Sequence, residues 1–450
     1  MLLNLEVAAA RSAGKLSRLA GRGGGTTLPG KLLSTVDPGA VDRLAARLER
    51  GSVLVSATNG KTTATAMIAG IVGGKLAYNN SGANLLSGVA STLLDSPGAD
   101  LGLFEVDEAA LPEIARRLRP RIVALGNLFR DQLDRYGELE HVAERWREAL
   151  AADPEATLVV NADDPLLGEL ARGRPNTVRY GLDDPAQARP SLQHAADSKY
   201  CRTCGAPYDY AAAYVGHLGD YRCPNGHSAR EPLDVAARHI ELGGLDGAVF
   251  RLDTPDGSTP VELSLPGLYN VYNATAAAAV AHTLGCTLEE IASGLGRFSA
   301  AFGRFERIDV GEKRILMLLI KNPAGTNEAV RTLLEGPPPR LAVVALNDEI
   351  ADGRDVSWIW DVDFEPLLAE LGRVVVSGSR AAELALRFAY GGLDRPRIEV
   401  VPQLSVALDR GLELSEDGDQ LVVLPTYTAM LALRGILADR GLVADFWEKA

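Results

Sequence analysis

Between residues 51 and 161, short apolar runs alternate with amphipathic stretches. Ser52–Ser56 reads as a buried strand and Lys61–Val72 as the helix that follows it. Leu101–Val106, Arg121–Leu125 and Thr157–Asn161 read as further strands, with helical periodicity between them. Strands separated by helices form βαβ units, and such units build a mostly parallel sheet. The alternation breaks at about 195–235, where Tyr, Cys, Gly and Pro replace it. A second α/β pattern begins near 305, with strands at Arg340–Leu346, Val374–Ser377 and Gln420–Pro425. The expected fold is α/β in three stretches. An entry segment covers 1–50, a central domain 51–303 carries the insert 195–235, and a smaller Rossmann-like domain covers 304–450.

One junction in this pattern carries chemistry. Ser56-Ala57-Thr58-Asn59-Gly60-Lys61-Thr62-Thr63 leaves a strand and opens a helix. Backbone N–H groups at such a helix start cradle phosphate oxygens, a lysine reaches the terminal phosphates, and the next hydroxyl can ligate Mg²⁺. Thr58, Asn59, Gly60, Lys61, Thr62 and Thr63 are therefore the candidate phosphate-binding set. The general phosphate-loop pattern wants Gly where this chain has Val55, so the match to it is partial.

Composition narrows the classes. A formal net charge of −13 over 450 residues excludes a general phosphate-tracking surface for nucleic acid. No apolar run approaches the 18 or so residues of a membrane-spanning helix, and no secretory leader pattern opens the chain. The expected location is the cytoplasm. Arg11, Lys15, Arg18 and Arg22 recur at helical spacing, either as a solvated face or as a peripheral contact with the anionic inner face of a membrane. Three of the four cysteines cluster: Cys201-x2-Cys204, then Cys223, with His227 four positions on. That is a tetrahedral Cys₃His set for structural Zn²⁺ in a reducing compartment. So short an insert buries little apolar surface, and zinc supplies roughly 10–16 kcal/mol toward organising it. The other reading is an insert that has lost its metal. Cys286, in an apolar helical region, reads as plain core.

The loop in its T-N-G-K-T form resembles that of the Mur ligase superfamily, which includes folylpolyglutamate synthases, and five further elements follow in that family's order. Glu105-Val106-Asp107-Glu108 closes a strand. Asn127-Leu128 leads to Asp131-Gln132-Leu133-Asp134-Arg135-Tyr136-Gly137, with Gln132 where many members have His. Asn161-Ala162-Asp163-Asp164-Pro165 comes next, then Gly267-Leu268-Tyr269-Asn270-Val271-Tyr272-Asn273-Ala274, and last Phe302-Gly303-Arg304-Phe305-Glu306. The resemblance implies a Mur ligase-like ATPase domain that takes ATP and Mg²⁺, with Thr62 and Glu105 on the metal. It places Asn270 and Arg304 on the nucleotide, and implies amide formation through an acyl phosphate. A triphosphate loop, a carboxylate for Mg²⁺ and a cation for developing charge are also what phosphoryl transfer demands by itself.

The C-terminal region narrows the resemblance. Lys321-Asn322-Pro323 stands where the family has D-x-x-H-N-P, Asn347 to Asp361 replaces a G-D-R-D loop, and Leu424 to Met430 closes the pattern. With the cysteine insert, these look like the MurT family, synthase subunits of lipid II isoglutaminyl synthase. The resemblance implies amidation of the α-carboxyl of D-glutamate in the lipid II stem peptide. Ammonia would come from a GatD-like glutaminase subunit in a heterodimer. It also implies that an Asp of this chain completes the glutaminase's Cys–His triad; Asp355 and Asp352, in one polar loop, both qualify. Lys321, by position, would contact the acyl phosphate. Trp358, Ile359 and Trp360 suit either an interface or a core. The rival expectation is a free-standing Mur or folylpolyglutamate synthase-type ligase that adds an amino acid.

Overall fold

The computed structural model describes residues 27–79, 83–131, 139–194, 196–299, 305–416, 418 and 420–443. The basic positions Arg11, Lys15, Arg18 and Arg22, the stretch Gln132–Gly137, and Phe302–Arg304 lie outside the described residues.

The first sheet holds nine strands: β1 Ser52–Ser56, β2 Leu76–Tyr78, β3 Leu101–Glu105, β4 Ile122–Leu125, β5 Thr157–Asn161, β6 Thr177–Leu182, and then β9 Val235–Leu242, β10 Ala248–Thr254 and β11 Gly257–Leu263. Two further strands, β7 Asp209–Val215 and β8 Leu218–Arg222, form a separate antiparallel hairpin inside the insert. The order across the large sheet is β11-β10-β9-β6-β5-β4-β1-β3-β2. It is parallel from β2 to β9 and antiparallel from β9 to β11. All five residues of β1 are buried, because helices cover both faces of a parallel sheet. On one face lies the helix Leu268–Thr283, whose many buried alanines let it sit close to the sheet and to the helix Lys61–Val72. The other face carries the helices Leu86–Asp95, Leu111–Leu118, Leu139–Ala152 and Pro165–Ala171 around a core that includes Phe104 and Trp146.

The chain leaves β1 toward β2 and β3 on one side and then crosses to β4 on the other. The carboxyl end of β1 is therefore a switch point, where diverging loops open a crevice for a ligand. Thr58 to Gly60, the loop after Glu105, and Asn127 to Asp131 surround it.

The second sheet runs β12 Phe305–Val310, β13 Lys313–Leu318, β14 Leu341–Ala345, β15 Arg373–Ser377, β16 Ile398–Val400 and β17 Gln420–Pro425, in the order β12-β13-β17-β14-β15-β16. Only β12 is antiparallel to its neighbour. Its carboxyl edge, after β13, β14 and β17, carries Lys321, the loop with Asp352 and Asp355, and Thr426.

Candidate active site

Gly60 takes φ +88°, and a Cβ there would sit 2.0 Å from Asn273 Oδ1, so this turn needs glycine for both backbone and space. The turn aims the first turn of the helix Lys61–Val72 into the crevice. Loop position is fixed from the β4 side. The Thr58 N–H donates to the Asn127 carbonyl at 2.9 Å and the Asn59 N–H to Asn127 Oδ1 at 2.9 Å. Asn127 Nδ2 returns a bond to the Asn59 carbonyl at 3.0 Å. Thr58 Oγ1 accepts from the Phe129 N–H at 3.0 Å and donates to its carbonyl at 3.2 Å. A single Asn side chain and a single Thr hydroxyl thus pin a backbone that glycine alone would leave loose.

Lys61 is buried, and its Nζ lies 2.8 Å from Glu108 Oε2 and also bonds the Ala57 carbonyl. Burial pushes the Glu108 carboxyl up, but the charges of Lys61 and Lys321 outweigh it and hold the group below the ordinary carboxylate value. Glu105 is buried at the end of β3, where its N–H donates to Asn79 Oδ1 and its carbonyl accepts from Asn79 Nδ2, both at 2.8 Å. Two carboxylates therefore stand at the crevice, and the one on Lys61 is Glu108.

The second sheet supplies the opposite wall. Asn322 caps the helix Pro323–Leu334, its Oδ1 accepting from the Gly325 N–H at 2.9 Å. Its side-chain amide also pairs with that of Asn59, Asn322 Nδ2 to Asn59 Oδ1 at 2.9 Å and the reverse bond at 3.3 Å. Next to it, Lys321 Nζ lies 2.5 Å from Asp131 Oδ2. Between the walls lies a cleft with roughly 1130 Å³ of empty space, lined by Thr58, Asn59, Gly60, Thr63, Asn270 and Lys321 among others. Asn270 Nδ2 donates to the Pro266 carbonyl at 2.8 Å, and its Oδ1 accepts from Asn273 Nδ2 at 3.1 Å, which presents both amides to the cleft. Arg304 lies outside the described residues.

A second hollow adjoins on the far side of Lys321, lined by Arg130, Asp131, Asp352, Asp355, Trp358 and Asp361. Here the two triad candidates part. Asp352 is buried, and both its oxygens are taken by Thr428: the N–H donates to Oδ1 at 2.8 Å and the hydroxyl to Oδ2. It fastens the start of the helix Tyr427–Asp439. Asp355 is exposed, with Oδ1 accepting from the Ser357 N–H at 2.8 Å, and bonds from the Ser357 side chain and backbone lower its carboxyl. The three hydrophobic candidates also divide. Ile359 is core, Trp358 is half-buried, and Trp360 is 48% exposed against Tyr390, with Arg387 over its ring.

Similarity to known proteins covers both walls of this cleft. The model of the Mur ligase middle domain matches residues 55–281, and that of the MurT ligase C-terminal region matches 319–430. The MurT subunit of lipid II isoglutaminyl synthase (glutamine-hydrolyzing) from Streptococcus pneumoniae is 34% identical over 98% of this chain and 99% of its own length. The chain belongs to the MurT family. The MurT subunit from Staphylococcus aureus is 32% identical over 86% of this chain and 88% of its own. Among solved structures, a pseudomurein peptide ligase type C from Methanothermus fervidus shares the fold with a TM-score of 0.70 at 22% identity, covering 89% of this chain and 80% of that one. A MurF ligase from Thermotoga maritima in complex with ADP superposes with a TM-score of 0.63 at 17% identity, covering 90% and 84%.

In this MurT-family chain the cysteine insert is a compact knuckle. One ligand atom from each of Cys201, Cys204, Cys223 and His227 lies within 4.8 Å of the others. Cys204 Sγ is 3.5 Å from Cys223 Sγ, and Cys223 Sγ is 3.7 Å from His227 Nδ1. Ligands about 2.3 Å from a tetrahedral centre stand about 3.8 Å apart, so the set fits Zn²⁺. Burial opposes the Cys201 thiolate, yet hydrogen bonds from the Cys204 and Thr203 backbone bring the thiol down to about 6, while burial pushes the neighbouring Cys223 thiol up. Tyr208 and Tyr221 pack against the cysteines. Cys286 is half-buried against the main core. No helix among the described residues is long and apolar enough to cross a membrane.

Sequence reasoning passed over three residues of this MurT-family site. Glu108 ends the E-V-D-E run, and its offset of three from Glu105 puts it in the loop beside the phosphate turn. Asn322 was legible as a cap before Pro323, but its bond to Asn59 was not. His217, wholly buried beside Asp164, has no sequence signal of its own.

Proposed function

We propose that this chain is the synthase subunit of a lipid II isoglutaminyl synthase, which amidates the α-carboxyl of D-glutamate in the lipid II stem peptide at the expense of ATP. The carrying observation is the cleft that sets Gly60 and Thr63 of the phosphate loop opposite Lys321 of the second sheet. Whole-length similarity to subunits of that name supports the choice of reaction. Residues 51–303 would supply the ATP-binding half, with a ribbon-like insert at 195–235, and 304–450 the half that meets the glutaminase; 1–50 would be an entry segment.

Thr58 to Thr63 hold the phosphates, with Lys61 turning from Glu108 to the terminal phosphate as ATP enters. That exchange is electrostatically neutral for the lysine, which moves from one anion to another. Asn270 and Arg304 contact the nucleotide. Mg²⁺ would be held by Thr62 and Glu105 with Glu108 beside them, and would supply neutralisation of the phosphate charge. The substrate carboxylate attacks the terminal phosphorus and ADP leaves. Ammonia then attacks the acyl carbon and phosphate departs. Lys321 would neutralise the acyl phosphate, and the Asn59–Asn322 contact ties the two walls of the cleft together. The ammonia would come from a GatD-like glutaminase subunit, whose catalytic His Asp355 would orient and stabilise as its cation. Zn²⁺ on Cys201, Cys204, Cys223 and His227 would be structural. The acceptor is lipid-linked, which places the work at the inner membrane surface.

Phosphate release from ATP, measured with lipid II and ammonium but no partner, tests this reading. Ammonium-dependent turnover that Lys61→Ala abolishes is the expected result. Turnover with an amino acid and none with ammonium overturns it in favour of a free-standing ligase.

A further inference from the structure

His217 sits at the turn of the β7–β8 hairpin, and no part of it reaches solvent. Its Nδ1 accepts from the Asp197 N–H at 3.3 Å, and its Nε2 faces Asp164 Oδ2 at 3.4 Å without meeting hydrogen-bond geometry. Its ring packs on Phe129, with centroids 4.6 Å apart. Gly216 presses from the same turn: a Cβ there would sit 2.6 Å from the Phe129 ring. The turn is itself fixed from behind. Gln193 Oε1 accepts from the Gly216 N–H at 2.9 Å, and the Tyr210 hydroxyl donates to the His217 carbonyl at 2.8 Å.

Both partners of His217 lead to the phosphate loop. Asp164 Oδ2 accepts from the Leu128 N–H at 2.9 Å. Phe129 exchanges its N–H and carbonyl bonds with Thr58 Oγ1. Asn127, next along the chain, carries the backbone of Asn59 on its side chain. Asn127 and Phe129, the residues of the loop after β4 that bond Thr58 and Asn59, are therefore within two residues of a His217 contact. Val215 and Leu218 of the same hairpin line the cleft, whereas His217 is not among its lining residues.

We propose that His217 is a positioning residue for ATP: beside Asp164 and against Phe129 it holds residues 127–129 against Thr58 and Asn59, so that it sets nucleotide affinity without itself touching the nucleotide. The inference rests on the reading of residues 56–63 as the phosphate loop. A histidine that merely filled core would, on removal, lower stability and leave the KM for ATP in step with that for the acceptor.

The test uses the full chain and the Mg²⁺ complex of adenylyl imidodiphosphate as probe, titrated calorimetrically, with KM for ATP and for lipid II from phosphate release and zinc content measured alongside. His217→Ala is expected to weaken probe binding and raise the KM for ATP about tenfold or more, as loosened positioning does, with the KM for lipid II and the zinc content unchanged. Tyr210→Phe, which removes the hydroxyl that bonds the His217 and Ser198 carbonyls and nothing at the phosphate loop, is expected to give a shift of about threefold in the same direction. Wild-type affinity in both variants overturns the proposal. If His217→Ala does not fold, Tyr210→Phe decides, and an unchanged affinity there overturns it too. Failure of the wild type to bind the probe, or Lys61→Ala binding it as tightly as wild type, sinks the phosphate-loop reading itself and the proposal with it.

Discussion

The carboxyl edge of the first sheet and that of the second are built alike and furnished differently. Each gathers loops from diverging parallel strands. At the first, Lys61, Glu105, Glu108 and Asn270 are buried and the loop backbone is held by named side chains. At the second, Asp352 is consumed by the start of a helix while Asp355 and Trp360 face outward. Buried polar groups are costly unless matched, and at the first edge they match one another: Lys61 with Glu108, and Asn270 with Asn273. Asp355 and Trp360 keep part of their surface open beside the described residues that contact them, Ser357, Tyr390 and Arg387.

The largest effect that would break this contrast comes from Lys61→Ala. It is expected to lower ammonium-dependent phosphate release by about a thousandfold, as loss of a charge aimed at transferring phosphoryl does. Next comes Asp355→Asn in the presence of the glutaminase. Glutamine-dependent turnover should fall by at least about a hundredfold while ammonium-dependent turnover stays at the wild-type rate. Equal loss with both nitrogen sources would move Asp355 to the synthase reaction and erase the distinction between the edges.

Stability separates the edges further. Glu108→Gln leaves the buried Lys61 ammonium without its counter-ion and should lower the unfolding free energy of the ligand-free chain by about 3 kcal/mol, read from denaturant melts. Asp352→Asn, which weakens a helix-start contact, should cost only about 1 kcal/mol and leave both turnover rates intact.

The smallest effect is one of pH. The folded Glu108 carboxyl lies below its ordinary value of 4.5, so its stabilisation is present above that value and is lost as pH falls through the lowered one. Thermal midpoints of the wild type and Glu108→Gln should therefore differ at neutral pH and draw together on acidification below about 4.5. A gap that widens in acid would mean that Lys61 relies on another anion.

Buried parallel strands were easy to read. Ser52–Ser56, Thr157–Asn161 and Gln420–Pro425 are uninterrupted apolar runs between polar turns, and they form β1, β5 and β17 over those residues. The antiparallel extension was not. In β10 buried and exposed residues alternate, and β11 is mostly exposed with Pro260 on the open edge of the sheet, so neither is an apolar run. At the site, short-range signals survived and long-range ones did not. The phosphate turn and the cysteine set depend on neighbours in sequence. The Lys61–Glu108, Asn59–Asn322 and His217–Phe129 contacts depend on loops that meet only in the fold. Asp352 and Asp355 look equivalent as letters three apart, and Thr428 distinguishes them from far down the chain.

The bond between Asn59 and Asn322 spans 263 residues. Synthesis delivers the phosphate turn early, yet Asn127, Asn273 and Asn322, which hold it, emerge later and from both halves of the protein. Domains generally fold as they emerge from the ribosome. A nascent chain released before the second sheet therefore carries the turn without its clasp. The last contact of the turn is in this sense a mark of completed manufacture, absent from any fragment that stops short of Asn322.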